Sequence, residues 1–392
     1  MFEIKKNIYW VGIKDWELRK FHGEEYTTRR GSTYNSYLIK DQKTVLVDTA
    51  WDPFKEEYVA NLEKNVGLKN IDYIVVNHSE IDHSGSMGLL MSKIPHTPIY
   101  CTQNGAKILK KHHHQDWNIQ VVKTGDTLSL GEYELMFIEA PMLHWPDSMF
   151  TYVKGANVLL SNDAFGQHYA TSQFYNDQVD QCELYQEALK YYANILTPFS
   201  KMVRQKIDQF KSLNLPVEII APSHGVIWRD NPLQIVDKYY QWAGDYQEDF
   251  VAVIYDTMWE ATKKMAHAIA EGLKREGLAY KIIHSAKTDH TELIADVFRA
   301  KAVLVGSSTV NNSLLSSVAA VLELLKGMKF KNKVGAAFGS YGWSGEAVKN
   351  ISERLEQAGI KVVQEGIRVQ YNPTEEELAQ CVEFGREFAK KL

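Results

Sequence analysis

The chain is 392 residues long, 45% hydrophobic and 24% charged, with a net charge of -5. That length suits two domains, and the acidic balance gives no sign of a polyanion-binding surface. No run approaches the ~18 apolar residues of a membrane span, and the opening Met1-Phe2-Glu3-Ile4-Lys5-Lys6 is unlike a signal peptide. A cytoplasmic protein is therefore expected. Cys101, Cys182 and Cys381 lie far apart and form no Cys-x-x-Cys pair. They exclude a disulfide scaffold, a rubredoxin-type iron site and a four-cysteine iron–sulfur cluster within these residues, and read as packing residues.

In chain order, β-type runs occur at 8–13, 34–40, 44–48, 72–77, 99–102, 119–123, 134–139, 150–154, 157–161 and 217–221. Helical apolar spacing intervenes at 54–66, 88–93, 183–196 and 199–213. This mixture predicts sheets with helices outside them. From about residue 250 the pattern becomes a strict alternation. Strands at 250–255, 280–284, 302–305, 333–338 and 361–363 are each followed by a helix, at 261–276, 291–299, 313–326, 345–358 and 374–390. Five apolar strands with intervening helices specify a parallel sheet covered on both faces. The boundary is placed in the polar stretch 244–249, giving domains 1–248 and 249–392.

The segment Asn77-His78-Ser79-Glu80-Ile81-Asp82-His83 directly follows an apolar strand. His78, Glu80 and Asp82 alternate, which in an extended loop brings several ligands to one side, and His83 adds an imidazole. His144, Asp163 and His224 also follow strands, so ligands reach one site from four strand ends. A lone His or Asp at a strand end is usually a cap or a turn former; the cluster is what carries the signal. Four His and three carboxylates exceed what one ion takes, and a bridging carboxylate lets two ions share them. Without thiolates the set suits iron, manganese or zinc. The run His112-His113-His114 lies among Lys110, Lys111, Gln115 and Asp116, and consecutive helical residues point in different directions, so it reads as solvated surface.

The motif His-x-[His/Glu]-x-Asp-His with a later His, Asp and His resembles the metallo-β-lactamase fold, a sandwich of two sheets with helices outside. Hydrolytic members usually carry His where this chain has Glu80. A harder, anionic oxygen ligand favours iron over zinc and stabilises the ferric state. That replacement, together with the second domain, resembles the flavodiiron proteins (A-type flavoproteins), which reduce oxygen or nitric oxide. The resemblance spans the whole chain and includes Trp-Pro-Asp after His144 and Asn-Asp-Ala-Phe-Gly around Asp163. It implies one iron held by His78, Glu80, His144 and Asp163, and a second by Asp82, His83, His224 and the same Asp163. In some members water displaces the counterpart of His83. The resemblance also points to His22 and Tyr192 as polar residues near the irons.

The alternating half is similar to a flavodoxin-like fold, which implies FMN at the carboxyl ends of its strands. Three loops occupy those ends. The first is Asp256-Thr257-Met258-Trp259-Glu260-Ala261-Thr262, where the hydroxyls of Thr257 and Thr262 and the amides opening a helix suit a phosphate. Flavodoxins often have Gly at the position of Glu260, and an acid beside a phosphate must point away. The second loop carries Ser307, Ser308, Thr309, Val310 and Asn311. The third, with Ser340, Tyr341, Gly342, Trp343 and Gly345, resembles the family's Ser-Tyr-Gly-Trp-Ser-Gly flavin loop. Met258, Trp259 and Trp343 are aromatic or soft groups suited to a flavin edge. No Gly-x-Gly-x-x-Gly stands in the first loop, which disfavours a nicotinamide dinucleotide.

Reduction of oxygen to two waters takes four electrons, which a reduced flavin and two ferrous ions together hold. The resemblance further implies a protein electron donor, rubredoxin, expected to be a separate chain. It implies a head-to-tail homodimer, or a dimer of dimers, in which each flavin faces the iron pair of the other subunit. Two rival readings are a metal-dependent hydrolase of the metallo-β-lactamase fold fused to a flavodoxin-like domain, which Glu80 disfavours, and a non-catalytic electron carrier or gas sensor.

Overall fold

The computed structural model describes residues 1–392. It divides into two compact units. Met1–Phe21, Thr28–Tyr191 and Phe199–Gln241 form the first, and His22–Thr27, Tyr192–Pro198 and Trp242–Leu392 the second. The last change of unit thus falls just before the polar stretch 244–249, and two short earlier segments count with the second unit.

The first unit is built on two sheets. One runs, in spatial order, Phe2–Lys5, Ile8–Trp10, Tyr37–Lys40, Thr44–Val47, Tyr73–Val75, Ile99–Cys101 and Ile119–Val121. Its first four strands pair antiparallel and its last four parallel. The other runs Thr127–Ser129, Glu134–Glu139, Met149–Lys154, Val158–Asn162 and Ile219–Pro222, with only the last pair parallel. Residues of both sheets, among them Ile39, Val47, Val75, Phe137, Val153, Leu160 and Ala221, share one buried cluster. This is the two-sheet sandwich that the metallo-β-lactamase resemblance implies.

Ten expected strands and four expected helices appear within a few residues of their predicted ends. Several elements were not predicted, among them Phe2–Lys5, Ile81–Ser84, Gln103–His113, Thr127–Ser129 and Leu233–Trp242. Phe2–Lys5 is only half-apolar, Leu233–Trp242 is short, and Gln103–His113 is rich in Lys and His. That last helix is fixed by its cap, for the Thr102 side chain accepts from Gly105 N. The helix expected over 183–196 is α-helical only over Gln181–Tyr191 and continues as a π-turn, Tyr192–Leu196.

In the second unit the strand order is Ala279–His284, Glu248–Tyr255, Ala300–Val310, Val334–Tyr341, Lys361–Val362, all parallel. Ile367–Gln370 pairs parallel with the far half of Val334–Tyr341, so the fifth strand comes in two pieces. The order 2-1-3-4-5 is that of the flavodoxin-like doubly wound sheet. The second expected loop is reshaped. Strand Ala300–Val310 extends further than expected, turns at Asn311 and Asn312, and pairs back through Ser313–Leu314. Both Asn residues have positive φ, as a two-residue hairpin turn requires. The following helix begins at Ser316, not at 313. No helix is long and apolar enough to cross a membrane.

The two short segments of the second unit are tied to its helix His290–Arg299. Thr27 N donates to Thr291 Oγ1 at 3.0 Å, and Thr27 Oγ1 donates to Asp289 Oδ2 at 2.5 Å. Asn194 Nδ2 donates to Thr291 O at 3.0 Å. Tyr192 packs against Trp242 and Phe298, with ring centroids 5.6 and 5.7 Å away.

Candidate functional site

His78, His144, Asp163 and His224 all lie just beyond strands of the first unit, where the sheet ends hold the backbone while the side chains project past it. Their ligand atoms, with those of Glu80, Asp82 and His83, gather into two sets: His78, Glu80, His144 and Asp163, and Asp82, His83 and His224. Within each set the atoms lie within 4.8 Å of one another. Strict alternation through 78–83 does not survive. Glu80 is extended, but Ile81–Ser84 is a helical turn, so Asp82 is carried with His83 into the second set.

Asp163 joins the sets. Its Oδ2 lies 3.5 Å from His78 Nε2 and 3.3 Å from His144 Nε2. Its Oδ1 lies 3.0 Å from His83 Nε2 and 3.5 Å from His224 Nε2. Glu80 Oε2 faces the first pair, 3.2 and 3.4 Å from His78 and His144. Asp82 Oδ2 faces the second, 3.0 and 3.1 Å from His83 and His224.

The surroundings orient these groups. Both Asp147 oxygens lie 3.2 Å from His78 Nδ1, and Asp147 Oδ2 accepts from Ser79 N at 2.7 Å. Nδ1 of His224 donates to Thr33 O at 2.6 Å, and Ser223 Oγ donates to Asp163 Oδ1 at 2.8 Å. Nδ1 is thereby engaged on two of the histidines, leaving Nε2 turned to the pocket, as metal sites require. Trp145 sets its ring edge-on to His78 at 5.2 Å.

Two features fit a cation. Asp82 Oδ1 and His83 Nε2 are buried with no hydrogen-bond partner, although His83 Nε2 has two carboxylates at 3.0 Å. These are short contacts without hydrogen-bond geometry, as expected of atoms converging on a common third atom. Electrostatics agree. Burial opposes protonation of His78, yet hydrogen bonds to Asp147 and Glu80 and nearby negative charge push it up to about 10. Burial would likewise raise Asp82, but the charge of His83 and the contacts with His224 and His83 hold it down near about 2. Asp82 and Asp163 are thus held ionised while His78, His83 and His144 favour the proton, so the pocket calls for positive charge that metal ions would supply.

His22 and Tyr192 fall in the second unit, Tyr192 in the ring cluster described above. The residue before it, Tyr191, is fully buried, and that burial, with the charges of Asp163, Asp82 and Glu80 added to it, holds its phenol well above the ordinary range. Its ring lies 5.2 Å from His168, which lies 4.8 Å from His224 and whose Nδ1 is 2.7 Å from Ser32 Oγ. Asp147, Tyr191 and His168 were not predicted as site residues. For Asp147 the signal was present, an acid three residues after His144. His112 is exposed, as expected, while His113 is half-buried against Trp117.

In the second unit the three loops meet through hydroxyls. Thr262 Oγ1 lies 3.0 Å from Ser308 Oγ and 2.8 Å from Ser340 Oγ, and those two are 3.1 Å apart. Thr257 Oγ1 is buried with no partner, at the end of the first strand and four residues before helix Ala261–Arg275, a site suited to an anionic oxygen. Ser307 and Thr309 are spent internally: Ser307 Oγ accepts from Leu315 N at 2.9 Å, and Thr309 Oγ1 from Ala347 N at 3.3 Å. Val310 and Asn311 belong to the hairpin, and Gly345 precedes helix Glu346–Gln357. Met258, Trp259 and Trp343 are exposed, the two indoles at 86% and 89%. Tyr341 and Gly342 are half-buried beside them. Glu260 has φ 64, which explains why glycine suits this position, and its carboxylate turns to Lys263 at 2.5 Å. The unpartnered Thr257 hydroxyl, the hydroxyl cluster and the exposed indoles fit FMN.

Comparison with known proteins agrees with both units. Residues 33–225 match the family described as ODP family beta lactamase, and residues 253–385 match Flavodoxin. The chain is 52% identical over 392 residues to the anaerobic nitric oxide reductase flavorubredoxin of Escherichia coli K12, covering 99% of this chain and 82% of that protein. Among solved structures, rubredoxin oxygen:oxidoreductase from Desulfovibrio gigas superposes with a TM-score of 0.96 at 37% identity, over 99% of this chain and 98% of that one. The flavodiiron protein of Giardia intestinalis gives 0.95 at 35% identity, over 100% and 96%. With full-length relatives at this level of identity and both units matched in order, the chain belongs to the flavodiiron protein family.

Proposed function

We propose that this chain reduces nitric oxide, dioxygen or both at a pair of non-haem irons, with electrons drawn through FMN from a rubredoxin-type donor. The observation that carries this reading is Asp163, one carboxylate facing two sets of ligand atoms, in a chain that also holds a flavodoxin unit. One iron is assigned to His78, Glu80, His144 and Asp163, the other to Asp82, His83, His224 and Asp163. FMN is assigned to the three loops, through Thr257, Met258, Trp259, Thr262, Ser308, Ser340, Tyr341, Gly342, Trp343 and Gly345. When bound, the irons supply one-electron reductants beside a diatomic gas, and the flavin supplies a two-electron store that fills one electron at a time.

The residues' own tasks follow from their chemistry. Glu80 and Asp82 place one anionic oxygen in each set, which stabilises the higher oxidation state. Asp147 and Thr33 O fix the imidazoles of His78 and His224, so little reorganisation accompanies a change of charge. Phe21 and Tyr191 pack around His224 and His168 and limit water there. The flavorubredoxin relatives carry nitric oxide reduction in their name and the Desulfovibrio gigas relative carries oxygen and rubredoxin, which supports both gases and that donor class.

The test is steady-state consumption of each gas by one iron- and FMN-replete preparation with reduced rubredoxin, with nitrous oxide measured as product. Failure to turn over either gas would reject the reading. The reading includes a head-to-tail homodimer in which each flavin serves the partner's irons. Dilution to monomers should then abolish turnover with both cofactors still bound, and a fully active monomer would remove the dimer from the account.

A further inference from the structure

The first flavin loop contains a buried carboxylate one residue from the expected phosphate contact. Asp256 is 9% exposed. Its Oδ1 accepts from Thr257 N at 2.8 Å and lies 2.9 Å from His284 Nε2. Its Oδ2 accepts from Ser317 Oγ at 2.6 Å. Ser317 Oγ is in turn 2.8 Å from Ser285 Oγ, which donates to Tyr255 O at 3.2 Å. The Tyr255 and His284 rings stack at 5.0 Å and 18°. One carboxylate thus ties the end of strand Glu248–Tyr255 to the end of strand Ala279–His284 and to the start of helix Ser316–Met328.

The consequence for Thr257 is specific. Its amide is consumed by Asp256, while its hydroxyl is left buried and unpartnered. Lys263 is engaged with Glu260 at 2.5 Å and Lys264 with Asn372 at 2.8 Å. The groups that the loop itself offers a phosphate are neutral donors held in place. Neutral donors are weaker singly, so their placement matters more. An acid so close to a dianion is repulsive, and the donors from His284, Ser317 and Thr257 N offset that charge.

We propose that Asp256 is a positioning residue for the phosphate end of the flavin site, and that through Thr257 it makes the unit select a phosphorylated flavin over riboflavin. This rests on the flavin reading above. The test is titration of the flavin-stripped protein with FMN and, separately, with riboflavin, followed by flavin fluorescence. Asp256→Ala should raise the Kd for FMN about 10–100-fold, the range of lost charge-assisted hydrogen bonds, and leave the Kd for riboflavin within about two-fold. Ser317→Ala should give a smaller loss in the same direction. His284→Gln, which keeps an N–H donor, should retain FMN affinity, and His284→Phe should lose it. These three variants decide the matter should Asp256→Ala not fold. Equal weakening of both flavins, or no weakening of FMN, would overturn the proposal while leaving the flavin reading intact. A native chain that binds neither flavin would overturn both.

Discussion

Replacement of Asp163 by Asn tests the shared carboxylate directly. The change keeps the side chain's size, so no cavity opens, and Ser223 Oγ can still donate to the remaining oxygen. What is lost is the negative charge shared by both oxygens, one facing His78 and His144 and the other facing His83 and His224, together with one of the two as a ligand. Four-ligand metal sites in small proteins bind with about 10–16 kcal/mol, so each ligand carries about 3–4 kcal/mol, or about 10²–10³ in affinity. For a bridging residue that loss falls on both ions. Glu80→Gln should weaken only the ion held with His78 and His144, and Asp82→Asn only the ion held with His83 and His224. The assay is anaerobic dialysis against buffered ferrous iron, with iron per chain counted by mass spectrometry. Two weakened sites in Asp163→Asn, against one in each other variant, is the expected pattern. Asp163→Asn retaining one ion at native affinity would refute the shared role.

Asp147→Asn should weaken the ion bound by His78 about 10–100-fold without displacing the other, measured in the same dialysis. Thr257→Val should lower FMN affinity about tenfold by removing the unpartnered hydroxyl, read by flavin fluorescence. Gly339→Ala should destabilise the flavodoxin unit by about 3 kcal/mol, seen as a lowered unfolding midpoint, because a Cβ there would stand 2.3 Å from Ser307 O on the paired strand. Lys333 is buried and donates to Phe298 O and Ala300 O at 3.0 and 2.5 Å, and burial lowers its ammonium to about 7. Its folded value lies below its unfolded one, so the unfavourable contribution is full below pH 7 and fades as pH rises toward 10.5. Lys333→Met should therefore gain stability over the native chain at pH 6 and lose that advantage by pH 10 in urea titrations. A difference independent of pH would refute this.

Legibility in the sequence differed from residue to residue for physical reasons. The cluster at 78–83 stands out because several ligand types fall in six residues, and the three later ligands each follow a recognisable strand. Their division into two sets came from the family resemblance and not from the spacing, because it depends on the helical turn Ile81–Ser84 rather than on alternation. The order of strands and helices in the parallel half was legible, since strands buried on both faces leave continuous apolar runs, whereas the hairpin that prolongs Ala300–Val310 and the second piece of the fifth strand were not. Less visible was which hydroxyls in the flavin loops are free. Ser307 and Ser308 are adjacent and chemically equal, yet one caps the backbone and the other joins the hydroxyl cluster. The standing of Tyr191 was equally hidden, because the change from α to π geometry between it and Tyr192 follows from packing.

The second unit is discontinuous in the chain, and this bears on how such a protein is inherited and engineered. A gene fragment starting near codon 249 would omit Thr27 and Asn194, and with them the clasps on Asp289 and Thr291 at the head of helix His290–Arg299. Exchange of that fragment for an unrelated flavodoxin would strand the two inserted segments without their anchors. Shuffling of the halves therefore succeeds best when those segments travel with the C-terminal module, which favours descent of the pair as one inseparable cassette.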